Sequence, residues 1–234
     1  LFSVALVGVV LLDGLFFRFD RKQLWIILAH FALQIIVPFI LLQVLMVDGV
    51  ADRTMHPFGF FAYRAYPGSV FLPVNKWYAS FLMKFKFVQK YEWEALAYIG
   101  AIASVGFWFL FVRYIVNLFR NIKGKASFTG NRSMDILFWA SFIVLLFSFG
   151  IPFVFGFDKL RCSISFLSQL RAVGRFAWLF YYVVNIIVWV KIYSYFTEIA
   201  KKKLGYTLIV FFLAIMGFEA YDYSKGSVGC LNNE

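Results

Sequence analysis

Cysteine is nearly missing from this chain of 234 residues: Cys162 and Cys230 stand far apart, with no CxxC and no Cys/His cluster. A metal site built on thiolates is therefore disfavoured. Charge is scarce too, at 15% of residues against 62% hydrophobic. A soluble domain of this length needs far more polar surface, whereas a bundle of membrane helices shows apolar side chains to acyl chains. No nucleophile elbow, P-loop, HExxH or dinucleotide glycine pattern occurs, which sets aside the familiar soluble chemistries. Acidic residues number 12 against 23 basic ones, a formal net charge of +11. The basic residues are scattered over short connections and form no stripe, and no nucleic-acid motif accompanies them, so positive-inside bias accounts for them better than an RNA or DNA partner.

What the chain does have is long apolar runs and aromatic rings, with 32 Phe, 13 Tyr and 7 Trp. A hydrocarbon core of about 30 Å takes roughly 20 helical residues. That rule predicts an all-α, polytopic transmembrane helical bundle with spans near 1–17, 23–46, 95–119, 136–157, 176–197 and 205–222. Pro38 and Pro152 fall inside the second and fourth of these, where each removes a backbone hydrogen bond. Residues 47–94 form a long outer loop carrying short helices, including an interfacial amphipathic stretch from Trp77 to Val88, and 223–234 a polar tail. Leu1 to Phe17 carries Asp13 and has no basic leader, so it reads as a truncated first span and not a signal sequence, and the chain as a fragment of a longer protein.

The short basic connections 18–22, 120–132 and 201–203 orient the bundle with those ends cytoplasmic. The segments 47–94 and 158–175 then face outward, together with the tail. Candidate chemistry gathers there. Asp48 and Asp52, with His56 and Arg64, suit a divalent cation, a sugar or an acid/base pair, and equally a solvated loop entry with Asp52 paired to Arg53. Glu92 and Glu94 flank Trp93 before the third span; two residues apart, they do not share a helical face. Arg171 and Arg175 are four apart at the N-terminal end of the fifth span. On a helix they form a double guanidinium fork suited to phosphate oxygens, or they snorkel to lipid headgroups. Within the spans, Asp13, His30, Gln34, Asn185, Lys191 and Glu219 are the polar residues that lipid makes expensive. Cys162 and Cys230 share the outer side, paired or free.

The run Leu170-Arg171-Ala172-Val173-Gly174-Arg175-Phe176-Ala177-Trp178 resembles the F/L-R-[AS]-x-G-R-F run of large bacterial polytopic membrane proteins similar to the GT-C class of glycosyltransferases. Asp52-Arg53-Thr54, Pro57 to Tyr63, Ser69 to Pro73, and Glu92 to Ala95 with Tyr98-Ile99-Gly100 are similar to their long outer loop, so the resemblance covers roughly residues 47–185. It implies a multi-pass protein of the bacterial inner (cytoplasmic) membrane that moves a sugar from a polyprenyl-phosphate carrier in cell-envelope glycan assembly. Arg171 and Arg175, aided by Arg64 and His56, would hold the carrier phosphate. In that class the catalytic acid lies in the first outer loop, here expected upstream of Leu1, so this stretch alone is expected to be inactive. Asp48, Asp52, Glu92 and Glu94 are the remaining catalytic candidates. No resident cofactor is implied beyond a divalent cation. Two other readings fit the same residues: a transporter or flippase with Asp13, His30, Asn185 and Glu219 along its path, and a non-catalytic membrane scaffold.

Overall fold

Apolar runs free of competing polar groups close their backbone hydrogen bonds internally, and helices result wherever lipid is the solvent. The computed structural model describes residues 5–11, 21–45, 59–72, 96–120, 127–163, 167, 170–198 and 202–231. Among them there is no strand. The helices are α1 (Arg21–Leu45), α2 (Pro67–Phe71), α3 (Ala101–Arg120), α4 (Arg132–Ser148), α5 (Asp158–Ser163), α6 (Ala177–Glu198) and α7 (Lys202–Leu231), with 3-10 turns at Phe153–Phe155 and Val173–Phe176 and a helical turn over 5–11. Among the described residues three stretches are long and apolar enough to cross a membrane: Ala101–Arg120, Val173–Thr197 and Gly205–Asp222. A shorter apolar run, Trp25–Pro38, lies within α1.

α6 is the centre of the bundle and packs against α3, α4 and α7. Its buried residues Ala177, Phe180, Val184, Ile187 and Val188 recur at three- and four-residue steps, so one stripe faces the other helices. Small residues set how close those helices come. A Cβ on Gly106 of α3 would lie 2.5 Å from Cγ1 of Val188, and one on Gly205 of α7 would lie 2.3 Å from the carbonyl oxygen of Phe196. Between α3, α4 and α6 sits an aromatic core in which Phe128 stacks on Phe138 at 3.9 Å and Phe107 meets Phe180 edge-on at 5.5 Å. Away from this core the helices present large apolar side chains outward, among them Phe109, Phe119, Phe211 and Phe218.

α4 is shorter than the apolar run that encodes it. The stretch expected over 136–157 ends as an α-helix at Ser148, because Gly150 takes a positive φ of 82° and closes the helix with two reversed hydrogen bonds. Its N–H donates to Phe147 O at 2.8 Å and that of Ile151 to Leu146 O at 3.1 Å, the pairing of a Schellman cap. Pro152 therefore stands in the turn after the helix and kinks nothing. At the other end Asn131 Oδ1 accepts from the N–H groups of Ser133 and Met134. Asp135 ties the preceding loop down by accepting from Thr129 N, Thr129 Oγ1 and Ser127 Oγ. α7 runs on through Leu231 and so takes in most of the stretch expected as a polar tail, 223–234.

Residues 59–72 are the piece that joins the bundle at one end. Ala65 N donates to Ser148 O, Gly174 N to Tyr63 O, and Ile99 N to Val70 O, at 2.9, 2.9 and 3.0 Å. Ser69 and Val70 are fully buried. Phe71 continues inward and stacks on Phe107 at 5.0 Å, with Phe180 at 6.0 Å. Pro67 starts this single helical turn, and Ser69 Oγ bonds both the N–H and the C=O of Tyr66, so the buried turn carries its own polar satisfaction.

Candidate functional site

Two features flank the 59–72 segment. The first is a layer of arginines. Val173 is fully buried with Phe60 and Phe153, and this apolar anchor sets how the Arg171 to Phe176 stretch lies. Its path is not the helix expected from sequence. Val173–Phe176 is a 3-10 turn, Ala172 has φ −120° and ψ 71°, and Arg171 precedes the turn, so Arg171 and Arg175 do not share an α-helical face. Both side chains are exposed. Gly174 is buried, and its N–H donates to the Tyr63 carbonyl.

Arg171 nevertheless joins other arginines through the 59–66 stretch. A Cβ on Gly59 (φ 133°) would lie 2.8 Å from the Tyr63 ring and 3.0 Å from Arg171 Cγ, so the backbone and that side chain are in close contact only because residue 59 is glycine. Arg64 packs its stem towards the Gly150 turn and its guanidinium over the Tyr66 ring at 4.8 Å. Its Nε is buried and has no hydrogen-bond partner. Arg161, which sequence reasoning passed over, lies over Phe60 and Phe61 at 5.0 and 5.6 Å and pairs with Asp158 at 2.7 Å. The signal for it was the Asp158-x-x-Arg161 spacing, one turn apart on a helix.

The second feature is a cavity of about 440 Å³ between residues 96–103, α6 and α7, lined by Leu96, Tyr98, Ile102, Trp178, Tyr181, Tyr182, Asn185, Met216 and Glu219. Glu219 reaches from α7 to the start of α3, where its carboxylate accepts from Tyr98 Oη at 2.6 Å and from Ala101 N at 3.1 Å. α3 lacks an acidic residue in its own first turn, so a neighbouring helix supplies the anion that its positive end favours. Asn185 Nδ2 donates to Ile99 O at 3.0 Å and Tyr181 O at 2.9 Å. Trp178 Nε1 donates to Leu96 O at 3.2 Å. These bonds hold the extended 96–100 stretch against α6.

Of the residues singled out from sequence, the structure thus has Arg64 within 59–66 and Arg171 against it, sets Arg175 in the adjoining turn, and puts Asn185 and Glu219 on one cavity. Asp13, Asp48, Asp52, His56, Glu92 and Glu94 lie outside the described residues. His30 and Gln34 are exposed on α1. Lys191 is instead at the far end, its Nζ 3.8 Å from where a Gly130 Cβ would stand. Cys162 is a free, exposed thiol. Among the described residues no three His, Cys, Asp or Glu side chains converge as metal ligands. No protein-family model, no curated protein and no solved structure matches the chain.

Proposed function

We propose that the chain is part of a multi-pass protein of the bacterial inner membrane whose arginine layer grips the phosphate of a polyprenyl-phosphate-linked sugar, in a GT-C-like transferase of envelope glycan assembly. The six-span arrangement belongs to this proposal, with α1, α4 and the N-terminal apolar stretch added to the three long apolar helices. The observation that carries it is Arg64 Nε, a buried donor with no acceptor, in a segment that also meets Arg161 and Arg171. Leaving such a donor unpaired costs about 1–3 kcal/mol, and more for a charged group. A phosphate oxygen supplies the missing acceptor and takes arginine forks well. Catalysis would fall to a carboxylate outside the described residues, with Asp48, Asp52, Glu92 and Glu94 as candidates.

The test uses the intact protein in its membrane. Arg64→Ala, Arg171→Ala and Arg175→Ala should each lower glycan transfer by about tenfold or more while insertion is retained. Polyprenyl phosphate retained on the purified protein, read by native mass spectrometry, should fall in parallel. Unchanged transfer and unchanged lipid retention in all three would sink the reading. A transporter is the second reading, supported by Asn185 and Glu219 lining one cavity. Against it stands the use of both side chains as braces for the 98–101 backbone.

A further inference from the structure

The cavity beside Glu219 has a chemical character opposite to the rest of the chain. Lys and Arg outnumber Asp and Glu by 23 to 12 overall, yet among the described residues the cavity lining contains no basic side chain and one formal charge, the Glu219 carboxylate. Its walls are aromatic: Tyr98, Trp178, Tyr181 and Tyr182. The rings of Tyr181 and Tyr182 stand 5.0 Å apart at 85°, edge to face. Ring faces carry negative quadrupole charge and attract cations.

Hydrogen bonding points the same way. Three side chains of the lining turn their donors to the protein: Trp178 Nε1 to Leu96 O, Tyr98 Oη to Glu219, and both Nδ2 hydrogens of Asn185 to Ile99 O and Tyr181 O. What Asn185 and Glu219 have left to offer a ligand is acceptor capacity, at Oδ1 and at the unused carboxylate lone pairs. A phosphate or carboxylate ligand finds no cation among the described lining residues. A positively charged donor finds a carboxylate, an amide oxygen and ring faces in about 440 Å³, within the range of small-molecule sites.

We propose that this cavity binds an organic ammonium ion, either the headgroup of an amine-bearing lipid or a free amine. The proposal stands independently of the phosphate reading of the arginine layer.

The experiment places the purified protein in phosphatidylglycerol nanodiscs and measures equilibrium binding of radiolabelled choline, with ethanolamine and the neutral isostere 3,3-dimethylbutan-1-ol as competitors. A second arm omits free amine, adds phosphatidylcholine to the bilayer, and measures by mass spectrometry which lipid is retained by the protein. Saturable choline binding displaced by ethanolamine and not by the neutral alcohol supports a free amine; selective retention of phosphatidylcholine supports the headgroup. Glu219→Gln should abolish the signal in either arm. Tyr182→Ala removes a ring that is 59% exposed, so the fold tolerates it, and should weaken binding roughly three- to tenfold. Neither binding nor selective retention, equal displacement by the neutral alcohol, or a monodisperse Tyr182→Ala protein that binds as the wild type does would each overturn the proposal. The arginine variants are read by polyprenyl phosphate retention, so failure here leaves that reading untouched.

Discussion

Two glycines make opposite demands on their neighbours, although both let helices touch. At Gly106 the obstacle to a methyl group is the side chain of Val188, stiff at χ1 because it is β-branched. Gly106→Ala should therefore lower thermal stability in detergent, by about 1–3 kcal/mol, and Val188→Ala in the same chain should restore part of it. At Gly205 the obstacle is the backbone carbonyl of Phe196, which no side-chain change removes. Gly205→Ala should be destabilising, and Phe196→Ala should not rescue it. Rescue of both, or of neither, would contradict these contacts; the melting temperatures of the four variants decide. Neither requirement was legible in the sequence. A glycine in an apolar run reads the same whether it faces lipid or another helix, as Gly217 shows, with nothing within 4 Å of its would-be Cβ.

At the scale of elements, the loop before α4 offers a local test. Asn131→Ala removes the acceptor for Ser133 N and Met134 N, and should cost about 1 kcal/mol. Amide hydrogen exchange at those two positions should accelerate, while the Ser104 amide in the first turn of α3, bonded to Gly100 O, should keep its protection. Equal acceleration at both places would mean global loosening and not a lost cap. Sequence patterning located elements best where an apolar run and a helix coincide: the run read over 176–197 holds α6, Ala177–Glu198. It was blind where apolar residues continue past the end of a helix. Ile151 to Phe157 are as lipid-compatible as the helix before them, and only Gly150 followed by Pro152 marked the turn. The arginine spacing misled for a related reason, since burial of Val173 and Gly174 dictates a 3-10 turn that a count of four cannot see. Arg64 stood out in the sequence as a charge; its unpaired Nε depends on the Gly150 turn and Tyr66, which only the fold brings near.

For the whole molecule, the relevant contrast is between rings that face inward and rings that face out. Phe138 and Phe180 are fully buried, while Phe119 and Phe218 are 75% and 65% exposed. A bilayer-soluble carbene photolabel should mark peptides carrying Phe119, Phe211 and Phe218 and spare Phe138, and the protein should stay with the membrane pellet at alkaline pH. Labelling of the inner ring to the same extent, or release by alkali, would refute a lipid-facing exterior.

The 59–72 segment also fixes an order in time. Its hydrogen-bond partners Ser148, Gly174 and Ile99 all lie later in the chain, so when Tyr63, Ala65 and Val70 are joined to the growing chain none of them exists yet. Long-range pairings of this kind form after the local helices, because the intervening loop must first be closed. Early in synthesis but late in assembly, the short stretch that positions both the arginine layer and the cavity can seat only after α3, α4 and α6 have been made.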